Sequence, residues 1–316
     1  MKLKNSLPPS KGYRGRFAPS PTGPLHAGSL VAALGSWLDA RSNKGKWLLR
    51  IEDIDTPRCV AGADQEIMRQ LQAYGLTWDE DVSWQSKHLE RYQRALEHLN
   101  ELNLVYPCTC SRQTILEALA TQGISPGRNQ EIVYPGTCRS PEMVATHKDI
   151  YLIANTAWRL ALPSNLVMEF DDLIMGHQSQ NLNQEVGDFV LRRRDGLFTY
   201  QLAVVVDDEQ QNVTHVVRGQ DLLSNTARQI YLQKILGFKQ PQYLHLPLVL
   251  DANVEKLSKQ TLATAIPTED PKEVLAQLRQ AAIHLGLKDL PDGENISIAQ
   301  WLLAATQAWK GSTIFS

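Results

Sequence analysis

Residues 14–29 read RGRFAPSPTGPLHAGS, and this stretch decides the fold around it. Its first part, which stops at a proline and a serine, predicts a short strand at residues 15–20. Residues 21–24 contain two prolines and a glycine, which is typical of a turn. From His26 to about Ser42 the apolar side chains recur at helical spacing. The stretch therefore predicts a strand, a tight turn and a helix in direct succession.

The sequence that follows first extends this pattern and then interrupts it. A strand at residues 46–52 and a helix at residues 61–74 are predicted next, and this alternation indicates an α/β domain with a parallel sheet. Residues 105–192 differ, because short strand-like runs alternate with loops there. Regular α/β signals resume at residues 199–206, and a helix is predicted at residues 222–236. The simplest interpretation is one α/β domain that is interrupted by an inserted module.

The predicted organisation has four segments, and the last of them is helical. Its two helices are predicted at residues 271–285 and 296–309. The segments are the first half of the α/β domain (1–103), the inserted module (104–194), the second half of the domain (195–260) and a short helical tail (261–316).

Composition limits the possible functions without choosing one. Of the 316 residues, 43% are hydrophobic and 21% are charged, which is an ordinary globular composition, and the formal net charge is −2. This balance does not indicate a nucleic-acid-binding protein, so any RNA contact must depend on a local basic patch. The first residues are basic but lack the apolar run of a secretory signal, and no apolar stretch is long enough to span a membrane. We therefore expect a cytoplasmic protein that has no membrane partner.

Two separate stretches carry residues that are suited to phosphate chemistry. His26 begins a predicted helix, where free backbone N–H groups favour an anion, and Gly28 lets a nucleotide approach the backbone closely. Lys256 and Lys259 bracket Ser258 on a predicted loop, where lysines can neutralise a leaving pyrophosphate. Each stretch alone is more often an ordinary surface turn or a solvated basic loop. Their presence in one α/β chain favours a nucleotide site.

Together, the two stretches resemble the signature motifs of the class I aminoacyl-tRNA synthetases. Residues 26–29, HAGS, resemble the HIGH motif, and residues 256–260, KLSKQ, resemble the KMSKS loop. The string RFAPSPTG at residues 16–23 is similar to the glutamyl and glutaminyl branch of that family. There are two departures, because Ser29 replaces the final histidine of the first motif and Gln260 replaces the final serine of the second.

The resemblance extends over residues 14–260 and implies a Rossmann-like catalytic domain with assigned roles for individual residues. It also implies that the inserted module, residues 104–194, contains zinc and contacts the RNA acceptor. It implies that His26 and Lys259 act in catalysis. The residues that it implies for ATP binding are His26, Gly28, Asp221, Lys256, Ser258 and Lys259. The residues that it implies for glutamate binding are Arg16, Ala18, Ser20, Glu52, Tyr200 and Arg218.

The chemistry of these residue types agrees with an acidic amino-acid substrate. Glu52 follows a predicted strand, and a carboxylate at that end of a sheet can hold the amino group of the substrate. Arg16 and Arg218 offer fixed positive charge, which discriminates glutamate from neutral glutamine. Which arginine meets the side-chain carboxylate stays open. Considered alone, Tyr200 would be an ordinary core residue and Arg218 a surface ion pair.

The cysteines of the inserted module suggest a metal site, because three thiolates and one further ligand complete a tetrahedral zinc site. The three cysteines are Cys108, Cys110 and Cys138. From residue types alone the fourth ligand stays open, since Asp149 or His147 is a more ordinary ligand than tyrosine, and buried cysteines without a metal are an alternative. In this region the chain resembles the truncated glutamyl-queuosine tRNA(Asp) synthetases, which implies Tyr134 as the fourth ligand and a structural Zn²⁺. Cys59 lies outside this cluster and is not expected to bind metal.

The length of the tail bears on the expected acceptor. Only residues 261–316 follow the lysine loop, which is too few for the large anticodon-binding region of a full glutamyl-tRNA synthetase. The resemblance therefore implies an enzyme that uses ATP with Mg²⁺ to activate L-glutamate as an adenylate. It further implies transfer of glutamate to the queuosine base of tRNA(Asp) by an enzyme that we expect to be a monomer.

Three alternatives stay open on the sequence alone. One is a shortened glutamyl-tRNA synthetase that charges the 3′ end of a tRNA. Another is a small-molecule nucleotidyltransferase or pantothenate-synthetase-like ligase, which would not need the cysteines or the set of Arg16, Glu52 and Arg218. The third is a non-catalytic RNA-binding relative, which would have no use for His26 and Lys259.

Overall fold

The structure, a computed structural model, describes residues 12–125, 127, 131–140, 155–248, 264–293 and 296–315. The strands in these residues are β1 (Arg14–Phe17), β2 (Lys46–Ile51), β3 (Ser83–Trp84), β4 (Val105–Cys108), β5 (Ala157–Leu160), β6 (Val167–Asp172), β7 (Gly176–Asn181), β8 (Val190–Arg192), β9 (His215–Gly219) and β10 (Gln242–Leu246). The helices are α1 (Ala27–Ser42), α2 (Ala63–Ala73), α3 (Leu89–Glu101), α4 (Arg112–Thr121), α5 (Leu182–Glu185), α6 (Tyr200–Gln210), α7 (Leu223–Leu236), α8 (Pro271–His284) and α9 (Ile298–Ala308). Single 3-10 turns lie at Thr56–Arg58, Gln85–His88, Gln220–Leu222, Trp309–Gly311 and Thr313–Phe315.

The centre of the fold is a parallel sheet whose strand order reverses once. β1 pairs with β2 and β2 with β3, while β9 pairs with β10, all in parallel. The backbone N–H of Thr214, just before β9, donates to the Arg14 carbonyl at 2.9 Å and joins β1 to β9. The order across the centre is therefore β3-β2-β1-β9-β10. This is the Rossmann-like arrangement expected from the sequence, and its ligand crevice lies where the order reverses, between β1 and β9.

Helix α1 lies directly on this sheet and brings the HAGS residues to the crevice. It begins after His26, as predicted, and buries Leu34 and Trp37 in the main core. Gly35 permits the close approach, because a Cβ atom at this position would lie 2.6 Å from Cδ1 of Leu246 on β10.

The segment of the predicted inserted module contributes to two sheets. β4, β5 and β8 form a separate antiparallel sheet. β6 and β7 form a hairpin whose first strand pairs with β10, through Asp172 and Tyr243. The predicted limits of the module, at residues 104 and 194, stay a prediction.

The apolar run at residues 199–206 forms the beginning of helix α6. It contains three successive valines, which favour a strand by intrinsic propensity. Tertiary packing decides otherwise, because all residues from Leu202 to Val206 are buried between neighbouring elements. The same helix carries Asp207 and Asp208 into the interior.

The helical tail belongs to the main core. The tail residues Leu278 and Trp301 lie in the same buried cluster as Trp37 of α1. Asp39, which is buried in α1, accepts a hydrogen bond from Nε1 of Trp309 at 2.9 Å and another from the hydroxyl of Tyr13. One carboxylate thus connects the start of the domain, its first helix and the tail. No helix in the described part of the chain is long and apolar enough to cross a bilayer.

We predict that Asp39→Ala destabilises the protein by about 3 kcal/mol, because two buried donors lose a charged acceptor. Urea unfolding followed by circular dichroism measures this change. Asp292→Ala is the matched control, since the Asp292 side chain is 93% exposed, and it should change the free energy of unfolding by less than about 0.5 kcal/mol. Equal unfolding midpoints for the two variants would contradict the role given to Asp39.

Candidate active site

Two neighbouring cavities lie at the crevice between β1 and β9. The central cavity has a volume of about 320 Å³. The residues predicted from the sequence that line it are Arg16, Ala18, His26, Gly28, Tyr200, Arg218 and Asp221. The side cavity has a volume of about 620 Å³, and its walls include Ser20 and Glu52. The two cavities share Ala18, Tyr200 and Asp221, so they are adjacent parts of one site.

The lysine loop lies outside the described residues, and so do the predicted ATP-binding residues Lys256, Ser258 and Lys259. The chain on each side of it is described. Leu248 lines the central cavity, and Ala265 forms a β-bridge with His26. Described residues on both sides of the lysine loop, Leu248 and Ala265, are therefore next to the cavity or to His26, which lines it.

His26 caps helix α1 with its own side chain. Its Nδ1 accepts from the backbone N–H groups of Gly28 at 3.1 Å and Ser29 at 3.4 Å, and its backbone N–H donates to Oγ of Ser29 at 2.7 Å. The expectation that the N–H groups at this helix start are free for an anion is therefore wrong for Gly28 and Ser29. Because Nδ1 accepts, the neutral imidazole carries its proton on Nε2. The neutral ring can therefore act toward a phosphate oxygen only as a donor, through Nε2–H.

A cluster of buried charges supports the amino-acid side of the site. Asp208 accepts from Nε of Arg16 at 3.1 Å and from Nη2 of Arg50 at 2.8 Å. Arg50 also reaches Glu52, at 3.3 Å, and Asp207, at 3.9 Å. Two buried guanidinium groups thus face three buried carboxyl groups, so one carboxyl lacks a counter-charge when all three are ionised.

The pKa values reflect this imbalance. Burial raises the pKa of Glu52 to about 7, although the charges of Arg50 and Arg16 oppose the shift. Burial acts in the same direction on Asp208, but Arg16 and Arg50 outweigh it and hold the pKa of that carboxyl below its usual range. Burial also raises the pKa of Asp207, the third carboxyl of the cluster, but of these two groups only Glu52 lines the side cavity.

The two predicted arginines differ in how many of their N–H groups are engaged. Arg218 donates from Nε to Nε2 of His245, from Nη1 to Tyr200 and Gln229, and from Nη2 to Thr226 and the Leu222 carbonyl. Arg16 uses only Nε, toward Asp208. No other described residue provides a hydrogen-bond partner for its Nη atoms, and Arg16 lines the central cavity. The Nη groups of Arg16 are therefore the free bidentate donor of this pocket.

Two residues that the sequence did not identify, His245 and Asp172, lie behind Arg218 and hold it in place. His245 is fully buried, and its Nδ1 lies 2.6 Å from Oδ2 of Asp172. Burial lowers the pKa of His245, which keeps the ring neutral, so Nδ1 donates to Asp172 while Nε2 accepts from Arg218. These two hydrogen bonds, from Arg218 to His245 and from His245 to Asp172, fix the plane of the Arg218 guanidinium group.

The four predicted zinc ligands converge away from the cavities. The thiol sulfurs of Cys108, Cys110 and Cys138 all lie within 4.8 Å of one another. The hydroxyl oxygen of Tyr134 is 3.4 Å from Sγ of Cys108 and 3.5 Å from Sγ of Cys110, and the Cys110 and Cys138 sulfurs are 3.4 Å apart. Tetrahedral zinc requires about 3.8 Å between two sulfurs and about 3.5 Å between sulfur and oxygen. The donor set therefore fits Zn²⁺ in size and in chemistry.

Comparison with known proteins agrees with this geometry. The family described as tRNA synthetases class I (E and Q), catalytic domain, matches residues 13–286. A Glutamyl-Q tRNA(Asp) synthetase from Burkholderia cenocepacia is 53% identical over 300 residues, which cover 94% of this chain and 96% of the relative. Another from Albidiferax ferrireducens is 50% identical over 310 residues, which cover 94% of this chain and 98% of the relative.

A solved structure supports the same grouping. The crystal structure of a glutamate tRNA ligase from Elizabethkingia meningosepticum, in complex with its amino acid, superimposes with a TM-score of 0.76 at 27% identity. The match covers 92% of this chain, which spans 64% of the length of that ligase. The resemblance inferred from the sequence motifs is confirmed. The chain belongs to the class I tRNA synthetases of the glutamate and glutamine group and, within that family, to the glutamyl-Q tRNA(Asp) synthetases.

Proposed function

We propose that the protein activates L-glutamate with ATP as glutamyl-adenylate and transfers the glutamyl group to the queuosine base of tRNA(Asp). The observation that carries this proposal is the convergence of His26, Glu52, Arg16 and Arg218 on two connected cavities. They do so in a chain that is 53% identical to a relative named Glutamyl-Q tRNA(Asp) synthetase. We propose that it works as a cytoplasmic monomer.

The charge balance of the site suits glutamate. The ammonium group of the substrate supplies the positive charge that an ionised Glu52 lacks in its cluster. The side-chain carboxylate meets the free Nη groups of Arg16, because the N–H groups of Arg218 are already engaged within the protein. Arg218 and Tyr200 then present polar groups to the substrate, while the small side chains of Ala18 and Ser20 allow it to fit. Neutral glutamine would leave Arg16 without its carboxylate partner.

Adenylation needs orientation and charge stabilisation, and it needs no protein nucleophile. An oxygen of the glutamate α-carboxylate attacks the α-phosphorus of ATP, which binds with Mg²⁺, and pyrophosphate leaves. The Nε2–H of His26 donates to the phosphate as charge builds there, and Gly28 lets the nucleotide approach the backbone. Lys259, with Lys256 and Ser258, stabilises the leaving pyrophosphate; what supports this role is that Leu248 and Ala265, described residues on the two sides of these three, lie at the cavity and against His26. Asp221 holds the ribose.

Transfer follows from the mixed anhydride. A hydroxyl group of the queuosine base attacks the carbonyl carbon of the adenylate, an ester forms and AMP leaves. The side cavity supports this step, because it is open beside Glu52 and shares Tyr200 with the central cavity.

We propose that Cys108, Cys110, Tyr134 and Cys138 hold a Zn²⁺ ion. A bound zinc supplies a structural crosslink, since four protein ligands leave no open position for a substrate. The ligands join the end of β4, which carries Cys108, to Tyr134 and Cys138, two residues that lie between α4 and β5 in the sequence.

We predict that the purified protein glutamylates tRNA(Asp) that carries queuosine and leaves queuosine-free tRNA(Asp) unlabelled. The measurement is the incorporation of radioactive glutamate into the two RNAs. Lys259→Ala should abolish both the labelling and the glutamate-dependent exchange of pyrophosphate into ATP. Label on the 3′ end of either RNA would contradict the proposed acceptor and favour an ordinary glutamyl-tRNA synthetase. A complete lack of exchange by the unaltered protein would contradict glutamate activation.

We predict that glutamate binds more weakly as the pH falls below about 7. The substrate ammonium group binds ionised Glu52, so binding at lower pH must release the proton that the free enzyme holds there. The dissociation constant should approach a tenfold rise per pH unit below about 7 and should be constant above it. Titration calorimetry at a series of pH values measures this dependence.

Two variants control the pH prediction. Glu52→Gln should bind glutamate weakly at every pH, because no carboxylate is left to ionise. Asp53→Asn should keep the pH dependence, since Asp53 bonds Ser86 instead of the charge cluster. A dissociation constant of the unaltered protein that is the same at pH 6 and pH 8 would exclude Glu52 as the titrating group.

We predict about one zinc ion per chain, which the double variant Cys110→Ser, Cys138→Ser no longer retains. Atomic absorption measures the metal, and thermal unfolding should show a lower Tm for the double variant because metal binding contributes to folding. Cys59→Ser is the matched control, since Cys59 contacts the backbone carbonyls of Asp53 and Asp55. The Cys59→Ser protein should therefore retain its zinc. Equal zinc content in all three proteins would rule out the cysteine cluster as the site.

A further inference from the structure

A third cavity lies beside the cysteine cluster, and none of the roles given above uses it. It is open and has a volume of about 920 Å³. Cys110 and Tyr134 line it on one side. Four arginines line its other walls, and we therefore call it the arginine cavity. They are Arg112, Arg159, Arg193 and Arg194.

Arg159 places a buried charge in the wall of this cavity. The residue is only 9% exposed, and its guanidinium group lies 3.8 Å above the ring centre of Tyr134. Nη1 donates to the Asp188 carbonyl at 2.7 Å, but the buried Nε has no hydrogen-bond partner within the described part of the chain. No carboxylate of the described residues forms an ion pair with it. A buried cation without a counter-charge is costly, so this wall favours an anion.

The remaining arginines add positive charge that is also largely uncompensated. Arg194 donates only to backbone carbonyls, of Asn155 at 3.1 Å and Thr109 at 3.3 Å. Arg112 is exposed at the beginning of α4, and no described residue forms an ion pair with it. The one carboxylate among the described lining residues is Asp195, which pairs with Arg193 at 2.6 Å. The four arginines and Asp195 therefore give the described lining a surplus of three positive charges, of which the proposed cluster of one Zn²⁺ ion, three thiolates and Tyr134 would offset one or two.

The arginine cavity adjoins the proposed glutamate site. Arg193 lines both the arginine cavity and the side cavity, and it also pairs with Asp55, at 3.4 Å. Glu52 and Tyr200 line that same side cavity. An anionic polymer seated on the arginines would therefore pass directly beside the place where the glutamyl group is transferred.

We propose that the arginine cavity binds backbone phosphates of the RNA substrate and so sets the RNA beside the side cavity. This rests on the proposed function, which requires an RNA at that place. Planar guanidinium forks match the geometry of phosphate oxygens, and such contacts position a nucleic acid without reading its sequence. A volume of about 920 Å³ accommodates a stretch of backbone, and the opening allows the polymer to continue on either side.

The test measures the affinity of the full-length protein for tRNA(Asp) by fluorescence anisotropy. Arg112→Ala and Arg194→Ala should each weaken binding about five- to eightfold in 0.1 M salt, because each removes about one phosphate contact. The slope of log affinity against log salt concentration should become shallower by about 0.7–0.9 for each arginine removed. Arg194→Lys keeps the charge and should keep the salt slope, but because it loses the planar fork its affinity should lie between those of Arg194→Ala and the unaltered protein.

The matched control removes the same charge elsewhere. Arg69→Ala changes an arginine on α2 that is 52% exposed and lines none of the three cavities, so its affinity and salt slope should be unchanged. The losses at Arg112 and Arg194 should be equal for tRNA(Asp) with and without queuosine, because phosphates are common to both RNAs. Inorganic phosphate at constant ionic strength should not displace the RNA, since one free anion cannot replace several linked contacts.

Two results would overturn the proposal. Affinities of Arg112→Ala and Arg194→Ala within twofold of the unaltered protein would show that RNA does not occupy this cavity. An equal loss of affinity in Arg69→Ala would show that the effect comes from the overall charge of the protein and not from this cavity. Glutamate-dependent pyrophosphate exchange by the unaltered protein, measured without RNA, tests the proposed function separately, so failure of one proposal is distinguishable from failure of the other.

Discussion

The site depends on a set of charges that the fold removes from water. In the interior, Arg16 on β1 and Arg50 on β2 both bind Asp208 on α6, and Arg50 also binds Glu52. Removal of either arginine would leave buried carboxylates without a counter-charge, which is far more costly than the loss of a surface ion pair. The strands and the helix that carry these groups are therefore held at a fixed spacing. This constraint sets the distance between the Arg16 and Glu52 groups that face the ligand.

The two arginines of the pocket consequently have different tasks. Arg218 is held from behind by His245 and Asp172 and from the sides by Tyr200 and neighbours on α7, so its position is fixed before a ligand arrives. Arg16 is anchored at Nε only and presents its other nitrogens to the cavity. Preorganisation of this kind lowers the ordering cost of binding a small, highly charged substrate.

Local sequence predicted structure that is formed by residues close together in the chain. It did not predict contacts between residues that are far apart in the chain. Residues 14–29 predicted β1, the turn and α1, because a strand, prolines and a helix start act over a few residues. Asp208 is 192 positions from Arg16, and His245 is 27 from Arg218, and no short pattern specifies such pairs. The accepting role of His26 Nδ1 was missed for a related reason, because a motif gives residue types and not ring orientation. Family resemblance contributed Tyr134, which residue chemistry ranked behind commoner zinc ligands.

The carboxylate of Asp39 has a consequence for synthesis on the ribosome. Its partner Trp309 lies 270 positions further along the chain, and the buried cluster around α1 is completed by side chains of α8 and α9. The first helix therefore emerges long before the residues that cover it, and part of its apolar face stays exposed to solvent until residues 271–309 have been translated. Contacts of such sequence separation slow folding and lengthen the period of vulnerability to aggregation. Complete burial of α1 accordingly has to wait until α8 and α9 have left the ribosome.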